Sequence, residues 1–233
     1  MIVVIGLPAY TDEDGERCAG GLAVEIAAEA RRRGGEVELA GKVGGDGPGD
    51  SVVVALGRMG VGHAALLRDA ARPTPLLAPP LAESAAADAG AAIDAAPDAA
   101  ADVDAPPEAA RLLPEDPAAR PGLEAGDIQM ALRYLTGPSV VVVVAESLGP
   151  AALAAAVDGA AFSDARLIVL TDASTTSLAG IPDTATVLER PIVDDGSFAR
   201  LVGTFAASLD AGNEPARAFR DGVTAAGWEP SAD

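Results

Sequence analysis

The sequence predicts an α/β protein: a doubly wound, mostly parallel sheet flanked by helices. Three observations predict it. Met1–Ile5, Val140–Val144 and Leu167–Leu170 are short aliphatic runs, the pattern of strands buried on both faces. Segments with apolar residues at helical spacing lie between them. Glycines and prolines fall at the joints rather than inside these segments. No internal repeat is evident, and 233 residues suit one large domain, so residues 1–233 are read as a single domain.

The elements follow in order. Met1–Ile5 ends at Gly6 and predicts the first strand. Pro8–Arg17 is rich in Asp and Glu and predicts a polar loop. Gly20-Gly21 opens a helix from Leu22 to Arg33, with Leu22, Ile26 and Ala30 on one face, and Gly34-Gly35 stops it. Val37, Leu39 and Val43 predict a strand. Gly44–Gly49 then turns the chain, and Asp50 is placed as the cap of a helix running to Met59. Gly60–Leu67 leads into another strand.

From Arg72 to Ala125 the chain is dense in Pro, Ala and Asp. Alanine predicts helix over Leu81–Ala92, and prolines predict a long loop over 96–122. Helix resumes over Ile128–Leu135. The strand Val140–Val144, a helix over Pro150–Ala161 and the strand Leu167–Leu170 follow, then a short strand at Val187-Leu188. The next helix is placed from Asp194, with Phe198, Leu201, Val202, Phe205 and Leu209 on one face and Gly212 at its end. Pro215–Ala226 predicts the last, with Trp228 packing against it.

Charge narrows the function classes. The formal net charge is −19, from 35 acidic and 16 basic residues, of which only Lys42 is lysine. An acidic, lysine-poor, alanine-rich chain has the composition of a halophile protein, whose carboxylates hold water while salt screens their repulsion. Nucleic acid is excluded as a partner because it needs a basic face, and Arg31-Arg32-Arg33 is the largest basic cluster. One cysteine, Cys18, permits no intramolecular disulfide. No apolar run is long enough to span a bilayer, and Met1–Ile5 is no signal peptide. A cytoplasmic protein with no membrane partner is expected. With His63 as the only histidine, no multi-histidine metal site can be built, and no metal ligand is assigned.

Two stretches carry candidate chemistry. The first joins Gly20-Gly21-Leu22-Ala23-Val24-Glu25-Ile26-Ala27 to Gly41-Lys42-Val43-Gly44-Gly45-Asp46-Gly47-Pro48-Gly49, then Leu56-Gly57-Arg58-Met59-Gly60-Val61. Glycines opening a helix bare backbone N–H groups toward a ligand. The second is Pro191-Ile192-Val193-Asp194-Asp195-Gly196-Ser197-Phe198, followed by Leu209-Asp210-Ala211-Gly212 and Glu214-Pro215-Ala216-Arg217.

In these two stretches the sequence resembles the ribokinase-like (PfkB) carbohydrate kinases. The first match keeps order and spacing over about residues 1–75, and the second keeps the helix after the family's catalytic loop. The resemblance implies a sugar site built from Gly20, Gly21, Gly44 and Asp46, with Asp12 as the early aspartate. It implies a nucleotide site at Thr171, Asp194, Gly196 and Ser197. ATP and Mg²⁺ would be the cofactors of an active member. It also implies a small β lid, often the dimer interface, beginning at Arg72–Pro80. The chain is short for the family, so a reduced or absent lid is expected and a homodimer is an open expectation.

This sequence departs from the family in three places. Glu25 falls on the sugar-binding asparagine, which leaves an acceptor but removes a donor. Aligning Phe198 puts Gly196 on the catalytic aspartate and replaces the anion-hole glycines with Val193 and Asp195. After Leu170, only Thr171 of the family's threonine-and-glycine turn persists. A shift of one residue would make Asp195 the base, but one position at a helix start turns a side chain through a large angle. Three functions follow: a degenerate kinase that binds a sugar, nucleoside or nucleotide; an active kinase using Asp195; or an interaction protein with no ligand site.

Overall fold

The computed structural model describes residues 1–13, 16–77, 113, 116, 119–172, 180–192 and 194–228. Six strands form a parallel sheet: β1 (Ile2–Ile5), β4 (Val37–Gly44), β5 (Leu66–Asp69), β6 (Val140–Val144), β7 (Arg166–Thr171) and β8 (Thr186–Glu189). Their order is β5-β4-β1-β6-β7-β8, with all neighbours parallel. Strands β1 and β6 are wholly buried, which explains their unbroken aliphatic sequences. The chain runs outward through β4 and β5, then returns beside β1 and runs the other way.

Helices cover both faces. α1 (Leu22–Arg32), α2 (Gly47–Met59), α5 (Ser197–Asp210) and α6 (Pro215–Ala226) share one core cluster, built on Ile2, Val4, Val142 and Ile168. α3 (Ala125–Tyr134) and α4 (Pro150–Phe162) share the other, built on Val3, Ile5, Val141 and Val169. Alternate residues of each strand therefore serve opposite cores.

Small residues set the helix spacing. A Cβ on Gly203 of α5 would lie 2.6 Å from the Cβ of Glu29, so glycine lets α1 and α5 touch backbone to backbone. Glu29 is buried in that seam, where Thr204 donates to it at 3.2 Å and Arg33 at 2.7 Å, with Arg32 on its second oxygen. Phe205 meets Phe219 of α6 edge-on at 5.6 Å. Trp228, expected against α6, stacks on Phe198 of α5.

Three predicted features need correction. The stretch read as a polar loop is instead an antiparallel hairpin, β2 (Ala9–Glu13) with β3 (Glu16–Gly20). It lies against α2 and carries Tyr10, which bridges to Leu76. The cap of α2 is Asp46, not Asp50, which sits one turn in and pairs with Arg68. The helix placed from Asp194 begins at Ser197. The helix expected over Leu81–Ala92, most of the loop over 96–122, and the end of the lid segment Arg72–Pro80 lie outside the described residues. Among the described residues no helix is long and apolar enough to cross a membrane.

Candidate functional site

The sheet order reverses between β1 and β6, and a crevice opens at the carboxyl ends of strands at such a switch point. Gly6 follows β1 there. A Cβ on it would lie 2.8 Å from that of Ala23, so glycine admits the start of α1 to the sheet edge. Gly21, at φ 93°, is the N-cap of α1 and needs its glycine freedom to turn the hairpin into the helix. Gly20 ends β3 opposite Ala9. The predicted double glycine thus stands at the crevice, joining hairpin to helix.

Around this edge the fold gathers charged side chains from distant parts of the chain. Glu25 comes from the first turn of α1, Glu146 from the 3-10 turn after β6, Asp172 follows β7, Arg190 follows β8, and Asp194 precedes α5. Arg190 Nη1 reaches Glu146 Oε1 at 3.4 Å, with both side chains largely buried. Its Nε is buried and has no hydrogen-bond partner among the described residues. Burial pushes the Glu146 carboxyl above its ordinary range; Arg190 opposes the rise and Asp172 adds to it. Glu25 is also pushed up, first by the protein atoms crowding its carboxyl, with Arg190 opposing and Asp194 reinforcing. Its side chain nonetheless opens to solvent, so this crowding weighs less for stability than the burial of Glu146.

The turn before α5 is satisfied from within. Asp194 is buried, and its Oδ1 accepts from the Phe198 N–H at 3.0 Å and the Ser197 hydroxyl at 3.4 Å. Asp195 Oδ1 accepts from the Ser197 N–H at 3.0 Å and lies 3.8 Å from Arg200. Bonds from Ser197, side chain first and then backbone, hold the exposed Asp195 carboxyl below its ordinary range, and Arg200 adds to this. The Ser197 hydroxyl also accepts from Trp228 Nε1 at 3.1 Å. Gly196 takes a left-handed φ of 83°, which lets the turn enter the helix. Thr171 uses its hydroxyl on the Leu188 carbonyl, at 3.4 Å, inside the sheet.

The second predicted glycine cluster builds a separate clasp. Asp46 accepts from the Gly49 N–H at 2.9 Å, the Thr74 N–H at 2.9 Å and the Thr74 hydroxyl at 2.6 Å. Burial opposes ionisation there, but these bonds win and hold the carboxyl below its ordinary range. Gly44 N–H donates to the same threonine at 2.9 Å. Asp46→Ala is expected to cost about 2 kcal/mol, from a lost helix cap and two lost charge-assisted bonds. Urea unfolding checks it; a loss under about 0.5 kcal/mol would show the clasp is not needed. Asp12 lies on β2, with Arg17 opposite at 3.6 Å.

Of the predicted residues, the structure therefore brings Glu25 and Asp194 together, with Gly21 at the head of α1. Sequence reasoning missed Glu146 and Arg190. Their only signal is a charged residue just beyond an apolar strand at its carboxyl end. Among the described residues, no three His, Cys, Asp or Glu side chains are grouped to hold a metal ion.

No family model matches this chain, and no curated protein matches it. Solved structures do. A ribokinase from Arabidopsis thaliana, complexed with ribose and ATP, is 14% identical with a TM-score of 0.61, over 97% of this chain and 90% of that one. A carbohydrate kinase from Agrobacterium tumefaciens is 14% identical with a TM-score of 0.58, over 97% and 89%. An uncharacterized sugar kinase from Pyrococcus horikoshii, in complex with ATP, is 17% identical with a TM-score of 0.50, over 75% of this chain and 53% of that one. At such identities the likeness speaks for architecture: this chain has the ribokinase-like fold of the PfkB-type sugar kinases.

Proposed function

We propose that this chain is a ribokinase-like protein that binds a small polyhydroxylated molecule, a sugar or nucleoside, without efficient phosphoryl transfer. One observation carries the reading. The N–H groups of Ser197 and Phe198, which open α5, are already bonded to Asp195 and Asp194. A phosphoryl transfer site on this fold would present free N–H groups there to hold developing negative charge. Here two carboxylates occupy that place, so the helix start is already neutralised and repels a phosphate.

The sugar side supports binding. Gly20 and Gly21 keep the entry to α1 open, and Glu25 faces the crevice with acceptor oxygens for hydroxyl groups. Relatives of this fold were solved with ribose and ATP, which makes these two the natural probes. The chain is read as one cytoplasmic domain that works at high salt.

The experiment is a thermal melt in about 2 M KCl, where surface repulsion is screened. Ribose, adenosine or another sugar or nucleoside is expected to raise Tm with no ADP released from ATP. A ligand at about 100 times its Kd contributes about 2.7 kcal/mol, a shift of several degrees. ADP release that depends on ligand and dies in Asp195→Asn would establish an active kinase instead. No shift with any probe would leave an interaction protein. The active reading is disfavoured because the Asp195 carboxylate already accepts from Ser197, lies 3.8 Å from Arg200 and is held below its ordinary range, a poor state for a base.

A further inference from the structure

Helix α4 is apolar on nearly every side. Ala152, Leu153, Ala155, Ala156 and Ala160 face the core, while Ala151, Ala154, Ala161 and Phe162 face outward. A helix apolar all round is normally covered. Its outer side carries one charge, Asp158, in a chain of net charge −19. Phe162 is 94% exposed at the rim of the space between α4 and α3. Between the two helices runs a groove of about 650 Å³, lined by Leu132, Leu135, Ala155 and Phe162 and flanked by Arg133 and Asp158.

We infer that this α3–α4 face docks a second copy of this chain. A two-fold interface must be self-complementary, and this face carries both halves of each match. Phe162 projects beside a groove able to receive an aromatic ring. Arg133 on α3 and Asp158 on α4 bear opposite charge, so a two-fold axis along the groove sets each over the other in the second copy, twice. The face also has almost no net charge, and two strongly acidic chains approach with least repulsion there. Helices of this length and spacing give a footprint on the order of 400 Å² per copy, the small end for specific contacts, so a weak, exchanging dimer is expected.

Sedimentation velocity of the whole chain tests this, over about 1–100 µM and from about 0.15 to 2 M KCl. The dimer fraction is expected to grow with concentration and with salt, as screening removes the repulsion between copies. Phe162→Asp is expected to give monomer throughout with an unchanged monomer Tm, since the side chain is exposed. Arg133→Asp is expected to weaken the dimer about tenfold, and adding Asp158→Arg to restore it. A wild-type chain that stays monomeric at every concentration and salt overturns the inference. So does a dimer that Phe162→Asp leaves intact, which would use another face. A monomer whose Tm falls in Phe162→Asp would show that the chain itself covers the groove, and equally overturns it.

Discussion

Gly44→Ala is expected to lower the unfolding free energy by about 3 kcal/mol, the upper range for overpacking. A Cβ there would lie 2.5 Å from the Thr74 N, 2.8 Å from the Pro73 carbonyl carbon and 2.9 Å from the Arg72 oxygen. All three are backbone atoms, so no side chain can swing aside. The Gly44 N–H also donates to Thr74, and displacing that strand loosens the Asp46 clasp as well. In a chain of this size the loss is a fall in Tm of about 6–12 °C. Gly126→Ala is the matched control. Gly126 sits exposed in α3 with nothing within 4 Å of its added Cβ, so alanine should raise stability by about 0.5–1 kcal/mol. Equal effects from the two variants would refute the claim that backbone contact, not glycine itself, decides.

Arg190→Met should cost about 3–5 kcal/mol near neutral pH, because it leaves a buried carboxylate without its cation. Glu146 is 15% exposed and Arg190 10%. The pH dependence carries the diagnosis. The Glu146 carboxyl is raised above its ordinary value of 4.5, so at pH between that value and the folded one the folded chain holds a proton that the unfolded chain has lost. Stability on this account falls as pH rises from about 4.5 through the folded pKa. Removing Arg190 takes away the group that opposes the rise, and the penalty then extends to higher pH. Urea unfolding at several pH values should show the Arg190→Met loss shrinking as the medium is acidified. Adding Glu146→Gln should recover much of the loss at neutral pH. A deficit identical at every pH would mean that Arg190 acts by packing alone.

Much of the architecture is legible in the sequence because the sheet is made from pure aliphatic runs. Val140–Val144 can be little else than a strand buried on both faces, and Pro215–Ala226 begins and ends where Pro215 and Gly227 dictate. The β2–β3 hairpin escaped because Thr11, Asp12, Arg17 and Cys18 show no apolar alternation. A two-stranded arm with little core face gives none. The cap of α2 lies four residues before Asp50, and Pro48, in the first helical turn, is the signal that points to Asp46. The Asp194-Asp195 pair was readable as acids at a helix start. The Arg190–Glu146 pair was not: 44 residues separate them, and only the register of β6, β7 and β8 brings them together.

The seam between α1 and α5 bears on how a ligand would arrive. Glu25 rides on α1, and the Asp194–Ser197 turn feeds α5. Four residues beyond Glu25, Glu29 is fastened to Thr204 opposite the bare backbone of Gly203. Sliding one helix past the other would strand a buried carboxylate, so the two walls keep their separation. If the proposed ligand enters between them, its berth is already cut. Its arrival should therefore show a single kinetic phase whose rate climbs in proportion to concentration, without the plateau that a closing step imposes.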